Sequence, residues 1–366
     1  MNKIIWNITD RYSKWLPVFG IYLIIANILL PMSLSGKIFS TVYRKYNHCQ
    51  VDIMALFGGS RHFYRNARGA RILTYHGICL KEHTRFNTIF LLKKTFEAHL
   101  QYFQRYFNLI SLEDYYQQRF RDNRFNICIT FDDGFANNFN YVLPLLEKYQ
   151  APAAFFVTAI REAGYDILWN DFMSMLHKYG PATLDYNGRQ FRKNRHGKYL
   201  AATDGHGLTA QLQAGGFEEK AALMRTLYSL VPFREMDIAP DYWQQMSPGQ
   251  IAALAASPFV TIGCHGYYHN DLAKIPVADA ATEMLQSKRY LEQTTGQPVR
   301  ALSFPYGSYS AAVVAAAKEA GFDRLLAINF LSPADHADPF MKERLTINPF
   351  ISIPNQLYAI INGKYV

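Results

Sequence analysis

Residues 127–134 read Ile-Cys-Ile-Thr-Phe-Asp-Asp-Gly, an apolar segment that ends at two adjacent carboxylates and a glycine. The apolar, β-branched part predicts a short buried strand. Asp132 and Asp133 follow it directly, and two acids this close repel unless a cation or hydrogen bonds keep both ionised. Gly134 allows a sharp turn after them. Acids at the carboxyl end of a buried strand are typical of active sites in α/β folds. A hairpin closed by an Asp-Asp-Gly turn is the structural alternative.

Strand-like and helical segments alternate along most of the chain, which favours βαβ units and a parallel sheet. The predicted strands are 71–77, 127–131, 153–158, 259–263, 301–307, 324–328 and 345–347. The alternation stops at about residues 160–245, and we expect this stretch to be a helical insertion that caps the mouth of a barrel. A turn is predicted within it at Asn187–Gly188. The folded domain, including this insertion, is predicted to span residues 70–366.

Two histidines follow another predicted strand in the spacing His-x-x-x-His, at His265 and His269. That spacing alone is weak, because chance or one face of a helix produces it often. Two imidazoles and one carboxylate are, however, an ordinary ligand set for a catalytic zinc ion with one position left for water. The remaining aspartate would then act as the base that deprotonates this water as it attacks a carbonyl.

From about residue 70 to residue 350 the chain resembles the polysaccharide deacetylase family, the NodB-homology or carbohydrate esterase 4 group. Residues 130–134, Thr-Phe-Asp-Asp-Gly, match the first motif of that family letter for letter. The resemblance implies a distorted (β/α)7 barrel of NodB type within the α/β class. It also implies that Asp132 is the base and that Asp133 binds the metal.

The second and third motifs of the family are also recognisable. His265 and His269 match its metal-binding histidines, although Gly266 stands where a small hydroxyl residue is usual. Residues 304–307, Phe-Pro-Tyr-Gly, resemble the third motif. The resemblance implies that Pro305 and Tyr306 line the acetyl-binding groove, and that the Tyr306 backbone N–H supports the oxyanion. The implied cofactor is a divalent metal ion, expected to be Zn²⁺.

Two positions depart from the family pattern. The third motif normally opens with an arginine that partners the base, but this chain has Ser303 there. Arg344 could replace that arginine, or it could be a surface cation. The usual Leu-x-x-His of the general acid is missing near the C-terminus, and His336 in a polar loop does not fit. The pattern occurs instead at His76, which we predict to be the general acid; the alternative is a histidine that only hydrogen-bonds the barrel rim.

The N-terminal part of the chain differs in charge and hydropathy from the remainder. Up to Arg71 there are ten basic residues against two acidic ones, so this part holds +8 of the formal net charge of +9. The stretch Leu16–Leu34 has no charged residue and is just long enough to span a bilayer. We expect residues 1–69 to attach the protein to a membrane, with the body on the cytoplasmic side under the positive-inside rule. A core helix and a cleaved signal peptide are the alternatives.

These observations predict a metal-dependent hydrolase that removes an N-acetyl group from a polysaccharide or a lipid-linked glycan. An amidase or deformylase acting on another N-acyl amide is a second enzyme hypothesis, since only the pocket distinguishes the two. A glycan-binding protein with a degenerate site is the non-enzyme alternative. Nucleic-acid binding is not expected, because the body beyond Arg71 is nearly neutral.

Overall fold

The computed structural model describes residues 32–365, with side chains from residue 43 onward. These residues divide into two compact units, residues 32–60 and residues 61–365. Most of the apolar stretch Leu16–Leu34 therefore lies outside the described residues, and the hypotheses made for it stay predictions. None of the helices described is both long enough and apolar enough to cross a membrane.

The described secondary structure begins with a long helix and continues as alternating strands and helices. The helices are α1 (Met32–Leu56), α2 (Ser60–Asn66), α3 (Lys93–Tyr106), α4 (Leu112–Tyr116), α5 (Leu143–Tyr149), α6 (Trp169–Tyr179), α7 (Leu208–Ala214), α8 (Phe217–Leu227), α9 (Pro248–Ala255), α10 (Val277–Thr295), α11 (Ala311–Glu319) and α12 (Ile353–Asn362). The strands are β1 (Gly69–Tyr75), β2 (Ile78–Cys79), β3 (Leu91–Leu92), β4 (Asn108–Ile110), β5 (Phe125–Phe131), β6 (Ala153–Val157), β7 (Thr183–Tyr186), β8 (Arg189–Lys193), β9 (Tyr199–Ala201), β10 (Val260–Cys264), β11 (Ala301–Ser303), β12 (Arg324–Ala327) and β13 (Met341–Thr346).

Seven parallel strands close into a barrel in the order β1, β5, β6, β10, β11, β12 and β13. Closure comes from β1, which pairs with β5 on one side, Leu73 opposite Ile129, and with β13 on the other, Leu73 opposite Leu345. β4 pairs with the first half of β5, whereas β6 pairs with the second half. The predicted (β/α)7 barrel of NodB type is confirmed. Because β5 has only parallel neighbours, the hairpin alternative is excluded.

Apolar side chains on the strands and their helices exclude water from the barrel wall. The ring of Phe131 stacks on that of Phe155 at 5.0 Å between centroids and on that of Tyr75 at 5.2 Å. All three side chains are almost completely buried, and burying each contributes roughly 1.5–3 kcal/mol. This packing fixes the three neighbouring strands β1, β5 and β6 relative to one another. It therefore also fixes His76 and Asp132, which follow directly after β1 and β5.

The insertion between β6 and β10 has its own apolar core, which includes Trp169, Phe172 and Leu176 of α6. It contains three helices and also a three-stranded antiparallel sheet, β7–β8–β9, which the sequence analysis did not predict. The predicted turn is present, since Asn187 and Gly188 take φ values of 50° and 71° between β7 and β8. Two positive φ values in a two-residue loop are typical of a type I′ hairpin turn. The alternating exposed and buried residues of β7 agree with this hairpin.

Candidate active site

The parallel barrel brings four strand ends to one edge. His76 follows β1, Asp132 follows β5, His265 follows β10, and the Pro305–Gly307 turn follows β11. Backbone hydrogen bonds continue the strand pairing past these ends: the Asp132 N–H donates to the Tyr75 carbonyl at 3.0 Å, and the His265 N–H donates to the Val157 carbonyl at 3.0 Å. The polar side chains therefore project from a rigid frame at the carboxyl ends of the strands, where barrel enzymes place their chemistry.

Asp133, His265 and His269 form one buried cluster of possible metal ligands, the only such group found among the described residues. The Asp133 Oδ1 atom lies 3.3 Å from His265 Nε2 and 3.2 Å from His269 Nε2. Ligands about 2.0 Å from a tetrahedral zinc ion lie about 3.3 Å from one another. The observed spacing therefore fits a divalent ion among these three atoms.

The hydrogen bonds of the two imidazoles support the same interpretation. His265 Nδ1 lies 2.8 Å from the Ser303 carbonyl oxygen. A carbonyl only accepts, so Nδ1 carries the proton, and the neutral ring turns the Nε2 lone pair towards Asp133. His269 Nδ1 lies 3.0 Å from the Tyr306 hydroxyl, to which it can donate in the equivalent tautomer. Outer partners of this kind commonly orient metal-binding histidines.

Replacing Tyr306 by phenylalanine is expected to weaken zinc binding by about 10- to 100-fold, because His269 loses the partner that fixes its ring. Competition with a chromophoric chelator measures this affinity directly. Tyr309→Phe is the matched control, since it also removes a phenol hydroxyl, one that hydrogen-bonds to Asp335 instead. Equal zinc affinity in Tyr306→Phe and in the wild-type protein would contradict this role of the hydroxyl.

Asp132 is held by Arg344 from the last strand. Arg344 Nη1 lies 2.8 Å from Asp132 Oδ1 and Nη2 lies 2.8 Å from Oδ2, a two-point ion pair. Nη2 also donates to the Ser303 hydroxyl at 2.5 Å, and that hydroxyl donates to Asp132 Oδ2 at 3.2 Å. Burial alone would raise the pKa of the Asp132 carboxyl, but the Arg344 charge and hydrogen bonds lower it overall. Asp132 is thus kept ionised although only 3% exposed.

This arrangement settles the two hypotheses for Arg344. Its side chain is fully buried, and its guanidinium lies 5.5 Å from the centre of the Phe156 ring, so it is not a surface cation. Ser303 stands where the family pattern has arginine, and the cation arrives from β13 instead. Gly266 also has a local explanation, because its φ of +75° is a conformation that glycine adopts without strain.

Three non-glycine residues of the site have left-handed backbone: Asp133 (φ 75°), His269 (φ 58°) and Tyr306 (φ 61°). Such conformations cost energy and concentrate at functional sites. Gly134, at φ 82°, leaves no space for a side chain, since an added Cβ would lie 2.8 Å from Val157 Cγ1. The surrounding fold therefore imposes the directions in which these three side chains point.

His76 lies at the same edge as the metal-ligand cluster, and its Nδ1 is buried without a hydrogen-bond partner. Burial lowers the pKa of its imidazole, and the charges of Asp133 and Asp132 act in the opposite direction. The ring is thus within electrostatic reach of both carboxylates. The alternative, a histidine that only hydrogen-bonds the barrel rim, is not supported at Nδ1, because none of the described residues forms a hydrogen bond with that atom.

Residues of the insertion brace the loop that carries His269. The Trp169 indole N–H donates to the His269 carbonyl at 3.3 Å. Lys220 is completely buried, donates to the Asn270 side-chain oxygen at 2.5 Å and lies 5.0 Å from the Trp169 ring centre. Burial lowers the pKa of this lysine to about 8. The sequence analysis assigned no role to Trp169 or Lys220.

Comparison with known proteins agrees with the fold and the motifs. Residues 121–195 and 235–325 match the family model described as polysaccharide deacetylase. The two matched segments flank part of the insertion and contain Asp132, Asp133, His265, His269 and the third motif. This match confirms the resemblance to the polysaccharide deacetylase family. No curated protein sequence matches significantly.

Solved structures share the fold. The deacetylase PplD of Streptococcus pyogenes, solved in complex with acetate, superposes with a TM-score of 0.51 at 18% identity, covering 80% of this chain and 97% of that one. IcaB from Ammonifex degensii gives 0.49 at 15% identity, covering 81% and 97%. A de-N-acetylase from Aggregatibacter actinomycetemcomitans gives 0.48 at 14% identity, covering 78% and 97%. The likeness to the Streptococcus structure supports the barrel fold.

Proposed function

We propose that this protein is a metal-dependent hydrolase that removes the N-acetyl group from an N-acetylated sugar of a polysaccharide or a lipid-linked glycan. The observation that carries the proposal is the placing of two adjacent acids in different surroundings. Asp133 faces two imidazole nitrogens at 3.2–3.3 Å, whereas Asp132 is held by a buried guanidinium. One acid is suited to a metal ion and the other to proton transfer.

Asp133, His265 and His269 would hold the ion, which we propose to be Zn²⁺. When bound, such an ion polarises a carbonyl oxygen and lowers the pKa of a water molecule. Burial alone would raise the pKa of the Asp133 carboxyl, but its close contacts with the His265 and His269 side chains lower it well below its usual range. Asp133 therefore stays anionic, as a metal ligand must.

The remaining residues take roles in proton transfer and binding. Asp132, kept ionised and oriented by Arg344 and Ser303, accepts a proton from the attacking water. His76 donates a proton to the nitrogen of the leaving amine, which cannot depart efficiently without one. Pro305 and Tyr306 line the acetyl group, and the Tyr306 backbone N–H donates to the oxyanion. These roles rest on the family resemblance together with the shared position of the residues at one edge.

Acetate release from a panel of N-acetylated oligosaccharides and lipid-linked sugars, with and without a chelator, tests the proposal. Acetate should appear with at least one substrate, stop after chelation, and return when zinc is restored. Release of formate from N-formyl analogues in preference to acetate would favour the deformylase hypothesis. Glycan binding without any acyl release would favour a binding protein.

We further propose that residues 1–69 attach the protein to a membrane, with the body, residues 70–366, on the cytoplasmic side. The concentration of positive charge before Arg71 and the apolar stretch Leu16–Leu34 support this. Leu56 and Phe57, at the end of α1, are 83% and 86% exposed. Exposed apolar side chains close to basic residues suit a membrane surface.

Deletion of residues 1–36 is expected to move the protein from the membrane fraction to the soluble fraction and to leave zinc binding unchanged. The reason is that the deletion removes the long apolar run while the metal-ligand cluster lies in residues 61–365. Cell fractionation followed by zinc titration of the soluble protein measures both. If the shortened chain instead unfolds, the apolar run is part of the core and the attachment hypothesis is wrong.

A further inference from the structure

Lys220, in the first turn of α8, is a charged side chain with no exposure to solvent. A buried ammonium group is costly unless it is well paired. Its place in the helix is also unfavourable, because the positive end of the helix dipole lies at the amino-terminal turn and repels a cation. The position of Lys220 is therefore explained by the groups that its ammonium contacts, and not by helix α8 itself.

The ammonium group of Lys220 joins the insertion to the loop that carries His269. It donates to the Asn270 side-chain oxygen at 2.5 Å and to the Gly215 carbonyl at 2.9 Å, and it lies 5.0 Å from the centre of the Trp169 ring. None of these three partners is a metal ligand, but Asn270 directly follows one. Lys220 thus reaches the metal centre through a single side chain.

A buried carboxylate binds the other end of that side chain. The Asn270 amide donates to Glu283 Oε1 at 2.6 Å, and the Tyr268 backbone N–H donates to Glu283 Oε2 at 3.5 Å. Glu283 belongs to α10 and is only 6% exposed. Because an ammonium can only donate, the Asn270 oxygen must face Lys220 and the amide must face Glu283. The orientation of Asn270 is therefore fixed from both sides.

His269 has a left-handed backbone conformation, with φ at 58°, which a non-glycine residue keeps only when its surroundings impose it. The residue before it is held by Glu283, the residue after it by Lys220, and its own carbonyl by the Trp169 indole at 3.3 Å. Its Nε2 atom lies 3.2 Å from Asp133 Oδ1. A loop released on one side would let this nitrogen turn away from the other ligands, and a metal site tolerates little such displacement.

We propose that Lys220 is a positioning residue of the metal centre, which acts through Asn270 to hold the His269 ring where it can bind the ion. The inference rests on the proposed function, since it concerns the metal site assigned there. Lys220 does not bind the ion and takes no part in proton transfer. A helix that contributes none of the three ligands then determines how tightly the ion is held.

The test measures zinc affinity by chelator competition in Lys220→Met, in Asn270→Ala and in the double variant. Methionine keeps the apolar stem of lysine and removes the ammonium. Lys220→Met should bind zinc about 10- to 100-fold more weakly than the wild type, the usual cost of losing an outer partner of a metal ligand. Asn270→Ala should show a similar loss.

The double variant Lys220→Met/Asn270→Ala should lose no more zinc affinity than either single variant, because both changes break one chain of contacts. Losses that add in full would mean that Lys220 acts by another route, such as its contact with the Trp169 ring, and would overturn the inference. Unchanged zinc affinity in Lys220→Met would also overturn it.

Lys193→Met is the matched control. Lys193 also belongs to the insertion, donates to the Gly180 carbonyl at 2.6 Å and lies 5.3 Å from the centre of the Tyr199 ring. It should keep the wild-type zinc affinity. The visible spectrum of the cobalt-loaded protein reports the arrangement of the ligands, so it should change in Lys220→Met and not in Lys193→Met. An equal loss of affinity in both variants would contradict a specific role for Lys220.

A variant without either buried charge separates positioning from stability. Lys220→Met removes the cation that faces Glu283 through Asn270, and this alone could unfold the chain. Lys220→Met/Glu283→Gln should regain the free energy of unfolding of the metal-free protein, yet still bind zinc weakly, because the Asn270 oxygen has no donor. Recovery of zinc affinity together with stability would show that the network serves the fold alone and would overturn the inference.

The wild-type protein distinguishes this inference from the function on which it rests. If it binds zinc but releases no acetate from any glycan, the proposed function fails, while the affinities of the variants still decide the role of Lys220. If it binds no zinc, both fail.

Discussion

Replacement of Arg344 by methionine is expected to lower the free energy of unfolding by about 3–5 kcal/mol and to remove most of the acetate release. Methionine keeps much of the side-chain volume but removes the cation. Asp132 would then be a buried carboxylate without a counter-charge, so it would either destabilise the fold or take up a proton. A protonated Asp132 cannot act as a base. Denaturant unfolding and acetate release measure the two effects separately.

The double variant Asp132→Asn/Arg344→Met distinguishes loss of the ion pair from loss of packing. With neither charge present, most of the unfolding free energy should return, because no unpaired charge remains buried. Acetate release should stay absent, since the base is also gone. A double variant as unstable as Arg344→Met would mean that the guanidinium stabilises the barrel through packing, for example on Phe156, and not through its charge.

Replacement of His76 by alanine is expected to lower the rate of acetate release by about 10²–10⁴-fold while zinc occupancy stays normal. The leaving amine needs a proton, and His76 is an imidazole at this edge of the barrel whose buried Nδ1 has no hydrogen-bond partner. Single-turnover acetate release together with metal analysis of the same sample measures both quantities. The structural basis is the position of His76 directly after β1, between the strands that carry Asp132 and Arg344.

His336→Ala is the matched control for His76→Ala. It also removes an imidazole, but one that lies in the short helical turn Pro333–His336 and packs against the Phe330 ring. It should release acetate at the wild-type rate. Full activity in His76→Ala would show that another group supplies the proton, and loss of zinc from that variant would assign His76 to metal binding instead.

The sequence was sufficient to predict those features of the fold and the site that depend only on residues close together in the chain. The run from Ile127 to Gly134 predicts a buried strand with acids at its end, and β5 is such a strand. The cap of α9 is a local feature of the same kind: Ser247 precedes the helix, and its side chain accepts from the Gln250 N–H. These features need only neighbours in the chain, so propensity and spacing predict them.

The pairing of Arg344 with Asp132 could not be predicted in the same way. It depends on the register of β13 against β1, in which Arg344 stands opposite Ile72, and strand register across the closing seam leaves no mark in the sequence. The bond between Tyr306 and His269 depends on two left-handed backbone conformations. The role of the insertion was missed because Trp169 and Lys220 are ordinary residues of amphipathic helices until the fold brings them to the loop of His269.

The seam between β1 and β13 also bears on how the protein is made. A ribosome releases β1 more than 260 residues before β13, since Ile72 pairs with Arg344. Until β13 is made, the β13 side of β1 is an open sheet edge, and β12 becomes a second one as soon as it is made; such edges recruit other extended chains. Asp132 meanwhile lacks its guanidinium. Chains cut short before residue 341 therefore leave both edges open and the base unpaired, so they are candidates for aggregation and degradation rather than for partial activity.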